Sequence, residues 1–163
     1  MSNTLINDLN KKGYTIIKLP QIIDNLKSLE FDLKSLFINL LNVKFDKNLD
    51  QNTSLPKLIN ELVKNDIKSY FNVLKSSEHL ISFYKIYTND HILGVVKKIF
   101  GHEQAIMPVI PKFHIMGSDL NNVINSKGGY SSTPIHQDWF PLQASINTLT
   151  MWLPLTNDGC ENF

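Results

Sequence analysis

The sequence predicts an α+β domain in which helices come first and strands second. Two observations predict it. Up to Gly101 the apolar residues recur at spacings of three and four, the stripe of a helix with one face inward. After Gly101 the texture changes to short β-type runs broken by proline, with a Gly/Ser-rich stretch between them. That is the one strong shift in composition, there is no internal repeat, and the strand–helix alternation of a parallel sheet is absent from the pattern. At 163 residues the chain suits one domain with one real core. It reads as a single unit, 1–163, mainly helical over 1–101 and carrying its first strands over 102–163.

The elements follow in order. Residues 4–12 predict a short helix stopped by Gly13. Tyr14 to Lys18 (YTIIK) is a short β-type run ended by Pro20. From Gln21 to about Leu41 a helical stripe runs through Ile22, Leu26, Leu29, Leu33, Leu36 and Leu40, with Asp, Lys and Ser opposite. The polar stretch 46–54 is a loop. A second helix then carries Leu55, Leu58, Leu62, Tyr70, Phe71 and Leu74, with Asp66 and Lys68 off the stripe. Ser76 or Ser77 is placed to cap a third helix over roughly 78–86, and Thr88 or Asn89 a fourth. In the fourth, Ile92, Leu93, Val96, Ile99 and Phe100 point inward, Lys97 and Lys98 suit the last turn, and Gly101 ends it. Residues 104–110 and 112–116 predict strands separated by Pro111. Residues 117–134 form a long irregular loop of the kind that carries function. Residues 135–139 (IHQDW) and 145–155 (SINTLTMWLPL) complete the β-type part.

Composition excludes several classes of partner. The net charge is +1, so neither nucleic acid nor an anionic membrane would be captured electrostatically. Every basic residue is a lysine; there is no arginine, the usual bidentate clamp for a carboxylate. The single Cys160 cannot form an internal disulfide and fits a reducing compartment. The first residues lack a basic start followed by an apolar run, and no apolar stretch approaches the ~18 residues of a membrane span. A cytoplasmic soluble protein is the expectation.

The chemistry concentrates in His136 and Asp138, two positions apart. If 135–139 is extended, both side chains share a face. An imidazole and a carboxylate so placed supply two of the three ligands of a 2-His-1-carboxylate iron(II) site, whose remaining positions stay open. The bland alternative is a surface or hydrogen-bonded pair. In the following run, Leu149, Met151, Leu153 and Leu155 make one purely apolar face suited to packing beneath helices. Ile146, Thr148, Thr150 and Trp152 make the other, which suits the wall of a small-molecule cavity or, more plainly, an ordinary solvent-facing surface. His114 is the best candidate for a third ligand, against the alternative of a hydrogen-bonded structural histidine. His79, His91 and His102 sit in or beside predicted helices and are expected at the surface.

The segment HQDWFPLQASINTLTMWLPLTNDGC (136–160) resembles the central motif of the phytanoyl-CoA dioxygenase family: His-Gln-Asp with a nearby aromatic, a strand with a tryptophan, then an acidic, Gly-containing turn. The opening helix with GYTIIK, and the helix ending in KKIFG, are similar to that family's more loosely. The resemblance implies an iron(II)/2-oxoglutarate-dependent oxygenase that uses O₂ to hydroxylate a small organic substrate. It implies His136 and Asp138 as iron ligands and Trp152 beside the 2-oxoglutarate site, with Thr150 shaping the pocket. The fold it implies is a double-stranded β-helix, a cupin-like jelly roll with helices packed outside. Family members continue to a Pro-Gly-Ser-His segment that gives the second iron histidine, and to an arginine that grips the co-substrate. This sequence has no histidine after His136 and no arginine. The expectation is therefore a C-terminally truncated portion with an incomplete barrel, inactive by itself, in which Lys112 could stand in for the arginine as a point charge. Two other readings stay open: a non-enzymatic helical interaction domain over residues 20–100, and a metal-binding jelly roll using His114, His136 and Asp138 for another chemistry such as isomerisation.

Overall fold

In a computed structural model of the chain, residues 2–101, 113 and 149–155 are described, and among them every regular element is helical. The order is α1 (Ser2–Lys12), a 3-10 turn (Pro20–Ile22), α2 (Ile23–Phe45), α3 (Leu55–Asn65), α4 (Ile67–Ser77), α5 (Ile81–Tyr87) and α6 (Asp90–Phe100). The expected α+β jelly roll is overturned: no strand, sheet or barrel occurs among the described residues, and the protein is helical there. Tyr14–Lys18 shows why. Its residues favour strands, but β-propensity is expressed only where a neighbouring strand takes up the backbone hydrogen bonds. Here the run has no regular structure, and Tyr14 and Ile16 are exposed. Likewise 149–155, the described end of the expected strand 145–155, has no regular structure. The expected strands 104–110 and 135–139, the loop 117–134 and all of 112–116 except Phe113 lie outside the described residues.

Helix ends follow local chemistry. Gly13 (φ +77°) and Gly101 (φ +73°) adopt the left-handed conformation that only glycine takes without a Cβ penalty, and each N–H donates to a carbonyl of the last turn, Leu9 and Lys97. Asn89 caps α6, its side-chain oxygen accepting from the His91 N–H at 2.9 Å. Between α2 and α3, the Asn42 side-chain amide makes both hydrogen bonds to the Leu49 backbone, at 2.9 and 3.0 Å, and so folds the polar loop back on α2.

Two boundaries differ from expectation. The second predicted helix is two, α3 and α4, broken at Asp66, whose backbone is extended. The Asp66 carboxylate accepts from the Ser69 N–H at 3.1 Å and so starts a new helix in the middle of an apolar stripe. The stripe could not show this, because α3 and α4 keep similar apolar spacing on either side. The third helix begins later than expected, at Ile81, and neither serine caps it. Ser77 is fully buried at the end of α4, where its hydroxyl donates to the Leu74 carbonyl at 2.6 Å.

The core consists of two clusters joined by α2. In the first, Leu33, Phe37, Ile38 and Leu41 of α2 meet Leu55, Leu58, Ile59, Leu62 and Val63 of α3 and Tyr70 and Val73 of α4. In the second, Ile22 and Leu29 meet Phe83 and Ile86 of α5 and Ile92 of α6. Because α2 turns its first half toward α5 and its second half toward α3 and α4, its buried line runs through Leu29, Leu33, Phe37 and Leu41. The predicted Leu36 and Leu40 lie at the margin, half-buried. In α6, Val95 is buried and the predicted Leu93 is exposed. No helix among the described residues is long and apolar enough to cross a membrane.

Candidate functional site

His136 and Asp138 lie outside the described residues, as do Lys112, His114 and His102. The expected site is therefore located through its neighbours. Of the two expected pocket residues downstream, Thr150 and Trp152 are both exposed, Trp152 to 63%. Leu149, Leu153 and Leu155, the alternate positions, are half-buried. The expected two-sided pattern is thus present at these positions, with one correction: Met151 was expected on the inward apolar face and is exposed. His79, in the turn after α4, and His91, in the first turn of α6, are exposed, as expected. Among the described residues no three His, Cys, Asp or Glu side chains converge as a metal site would require.

The residues flanking the His-x-Asp stretch dock on the helices. Upstream, the Phe113 ring stacks on Phe83 of α5 with centroids 4.6 Å apart and planes tilted by 32°. Downstream, Leu153 packs on the second core cluster. Phe113, Leu155 and Leu80 each pack against both clusters, so the seam between them receives both flanks. Sequence reasoning missed this seat. Phe113 was read as part of a strand, and nothing local in KFHIM marks a partner on a distant helix.

The most strongly perturbed titratable group among the described residues is Asp66. Lys44, from the last turn of α2, donates to its carboxylate, and so do the Ser69 hydroxyl at 2.7 Å and the Ser69 N–H. These three donors, the Lys44 hydrogen bond first, hold the Asp66 carboxyl well below the usual carboxylate range. Lys44 also donates to the Ser69 hydroxyl at 2.9 Å. A serine, a lysine and an aspartate in contact can look like a nucleophile with its base. Here the serine hydroxyl gives its proton to a carboxylate that stays ionised, and the lysine ammonium is paired with that carboxylate. The trio is a cap that ties α4 to α2. It sits at one end of an open groove of about 470 Å³ between these helices, lined by Leu36, Leu40, Val43, Asn72 and Val73.

The pH dependence of this cap has a definite sign. A carboxyl depressed in the folded state stabilises above its ordinary value, here 3.8, and loses that contribution as pH falls toward its folded value. Asp66→Asn keeps a capping side chain but removes the charge. Urea unfolding is expected to show the variant less stable than the parent at pH 6. The difference should begin to shrink once the pH drops below 3.8. A difference independent of pH would mean that the ion pair contributes nothing.

No protein-family model, curated protein or solved structure matches the chain. The functional reading rests on its own residues.

Proposed function

We propose that the chain belongs to an iron(II)/2-oxoglutarate-dependent oxygenase of the phytanoyl-CoA dioxygenase type, which hydroxylates a small organic substrate with O₂. The observation that carries this reading is the His136–Asp138 pair, followed by a segment that seats Leu153 and Leu155 on the helices and leaves Thr150 and Trp152 on the exposed side. A His-x-Asp pair converges from any locally extended segment, with or without a barrel. By donor chemistry, a neutral imidazole with a carboxylate fits iron(II). His136 and Asp138 would hold the metal, with His114 as candidate third ligand, and Lys112 would offer a positive charge to the co-substrate carboxylate. Thr150 and Trp152 would wall the substrate side. When bound, the metal would supply the oxidising power, while these side chains bind, orient and exclude water. A reducing cytoplasm suits both ferrous iron and the lone Cys160.

The test is anaerobic iron(II) titration with and without 2-oxoglutarate, following the weak visible charge-transfer band of the chelate. The band is expected in the parent and lost in His136→Ala. Absence of the band in the parent, or its persistence in the variant, sinks the proposal. A second reading, a helical interaction module, draws support from the open groove between α2 and α4, where Val43 is 88% exposed. It predicts no metal affinity in either protein.

A further inference from the structure

We infer that the α5 seat formed by Leu80 and Phe83 positions the His136–Asp138 segment, with Phe83 as the positioning residue. This rests on the metal-site reading of that pair. Phe113 lies upstream of the pair and Leu155 downstream, and both pack on the seam to which Leu80 also belongs. Phe83, buried in the second cluster, takes the face of Phe113 directly. Anchoring two points far apart in sequence at one place closes the intervening chain into a loop. Loop closure removes conformational freedom from everything between the anchors, and its entropic cost must be offset by the apolar surface they bury. A metal site needs that restriction, because its ligands bind tightly only when the surrounding structure holds them near the right geometry. The stacked pair of Phe113 on Phe83 is the most directional of these contacts, since aromatic rings have preferred mutual geometries that aliphatic contacts lack. Phe83 touches neither metal nor substrate in this account. It acts through Phe113.

The experiment uses the full chain and iron(II) alone as the probe, titrated anaerobically. Phe83→Ala and Phe113→Ala are each expected to lower iron(II) affinity about ten-fold, the lower end of the loss seen when a group supporting metal ligands is removed. Helical circular dichroism should remain unchanged at the assay temperature. Because Phe113 lies outside the helices, its variant tests the seat even if Phe83→Ala weakens the helical core. The double variant is expected to be no weaker than either single one, because both act through one contact. Phe83→Leu should recover most of the affinity. Unchanged affinity in both single variants, or losses that simply add, would overturn the inference. If the parent shows no His136-dependent binding, the metal reading fails and the seat is decided separately. In a Trp139→Phe background Trp152 is the sole tryptophan, and its fluorescence anisotropy should fall on Phe113→Ala as Leu153 and Leu155 come loose. An unchanged anisotropy would overturn the seat itself.

Discussion

Phe37→Ala is expected to lower the unfolding free energy by about 3–5 kcal/mol, the range for truncating a fully buried aromatic. The Phe37 ring is completely inaccessible, on the face of α2 that meets α3 and α4. Its removal loses the transfer free energy of the ring and leaves a cavity among Leu33, Leu41, Leu58 and Leu62. The last three of these have almost no exposure themselves and little freedom to collapse inward. Domains of this size have about 5–15 kcal/mol in total, so the variant should be close to the edge of folding. Urea unfolding followed by helical circular dichroism measures it as a lower midpoint at unchanged slope. Phe31 provides the control on the same helix. It is 56% exposed, and Phe31→Ala should change stability by less than about 0.5 kcal/mol. Equal losses at the two positions would mean that α2 does not bury the face described.

The second large effect is alkaline. Tyr70 of α4 is buried in the first cluster, and that burial pushes its phenol up to about 12 from the ordinary 10.0. The sign follows from linkage. Above pH 10 the unfolded chain gives up this proton while the folded chain keeps it, so the unfolded state binds fewer protons and stability falls as pH rises. Below pH 10 the group costs nothing; between 10 and 12 the loss grows to about 2–3 kcal/mol, at roughly 1.4 kcal/mol per pH unit. Tyr70→Phe removes the titrating group and keeps the ring. The stability difference between parent and Tyr70→Phe should be flat up to about pH 10 and then move steadily in the variant's favour. Lysines titrate in the same region, but they do so in both proteins and cancel in the difference. A difference that stays flat to pH 11.5 would show that Tyr70 reaches solvent.

What could be read from the sequence was whatever depends on neighbours along the chain. Gly13 and Gly101 mark the ends of α1 and α6 because the chain must turn left-handed there, and Asn89 marks the start of α6 because its side chain reaches an amide two residues on. The amphipathic stripes gave most of the helices for the same reason. Asp66 was legible in principle, since an aspartate three residues before Ser69 is a capping signal. It was outweighed because the apolar spacing on either side of it is continuous enough to suggest one long helix. The candidate site was legible only as a spacing, His136 to Asp138, together with the alternation of 149–155, in which Met151 proved to be misplaced.

Tertiary structure decided the rest. Which side of α2 is buried depends on α5, α3 and α4 arriving from two directions, and that shifts the core line from Leu36 and Leu40 to Phe37 and Leu41. Whether Tyr14–Lys18 becomes a strand depends on a partner strand, because a ladder is made between segments and not within one. The contact of Phe113 with Phe83 joins residues with three stretches of different character between them, and no local pattern encodes it. The sequence by itself determined where helices begin and end, since caps and stripes act over one or two turns. Only the fold decided which faces meet, because burial is a property of the whole surface and is set by every element that competes for it.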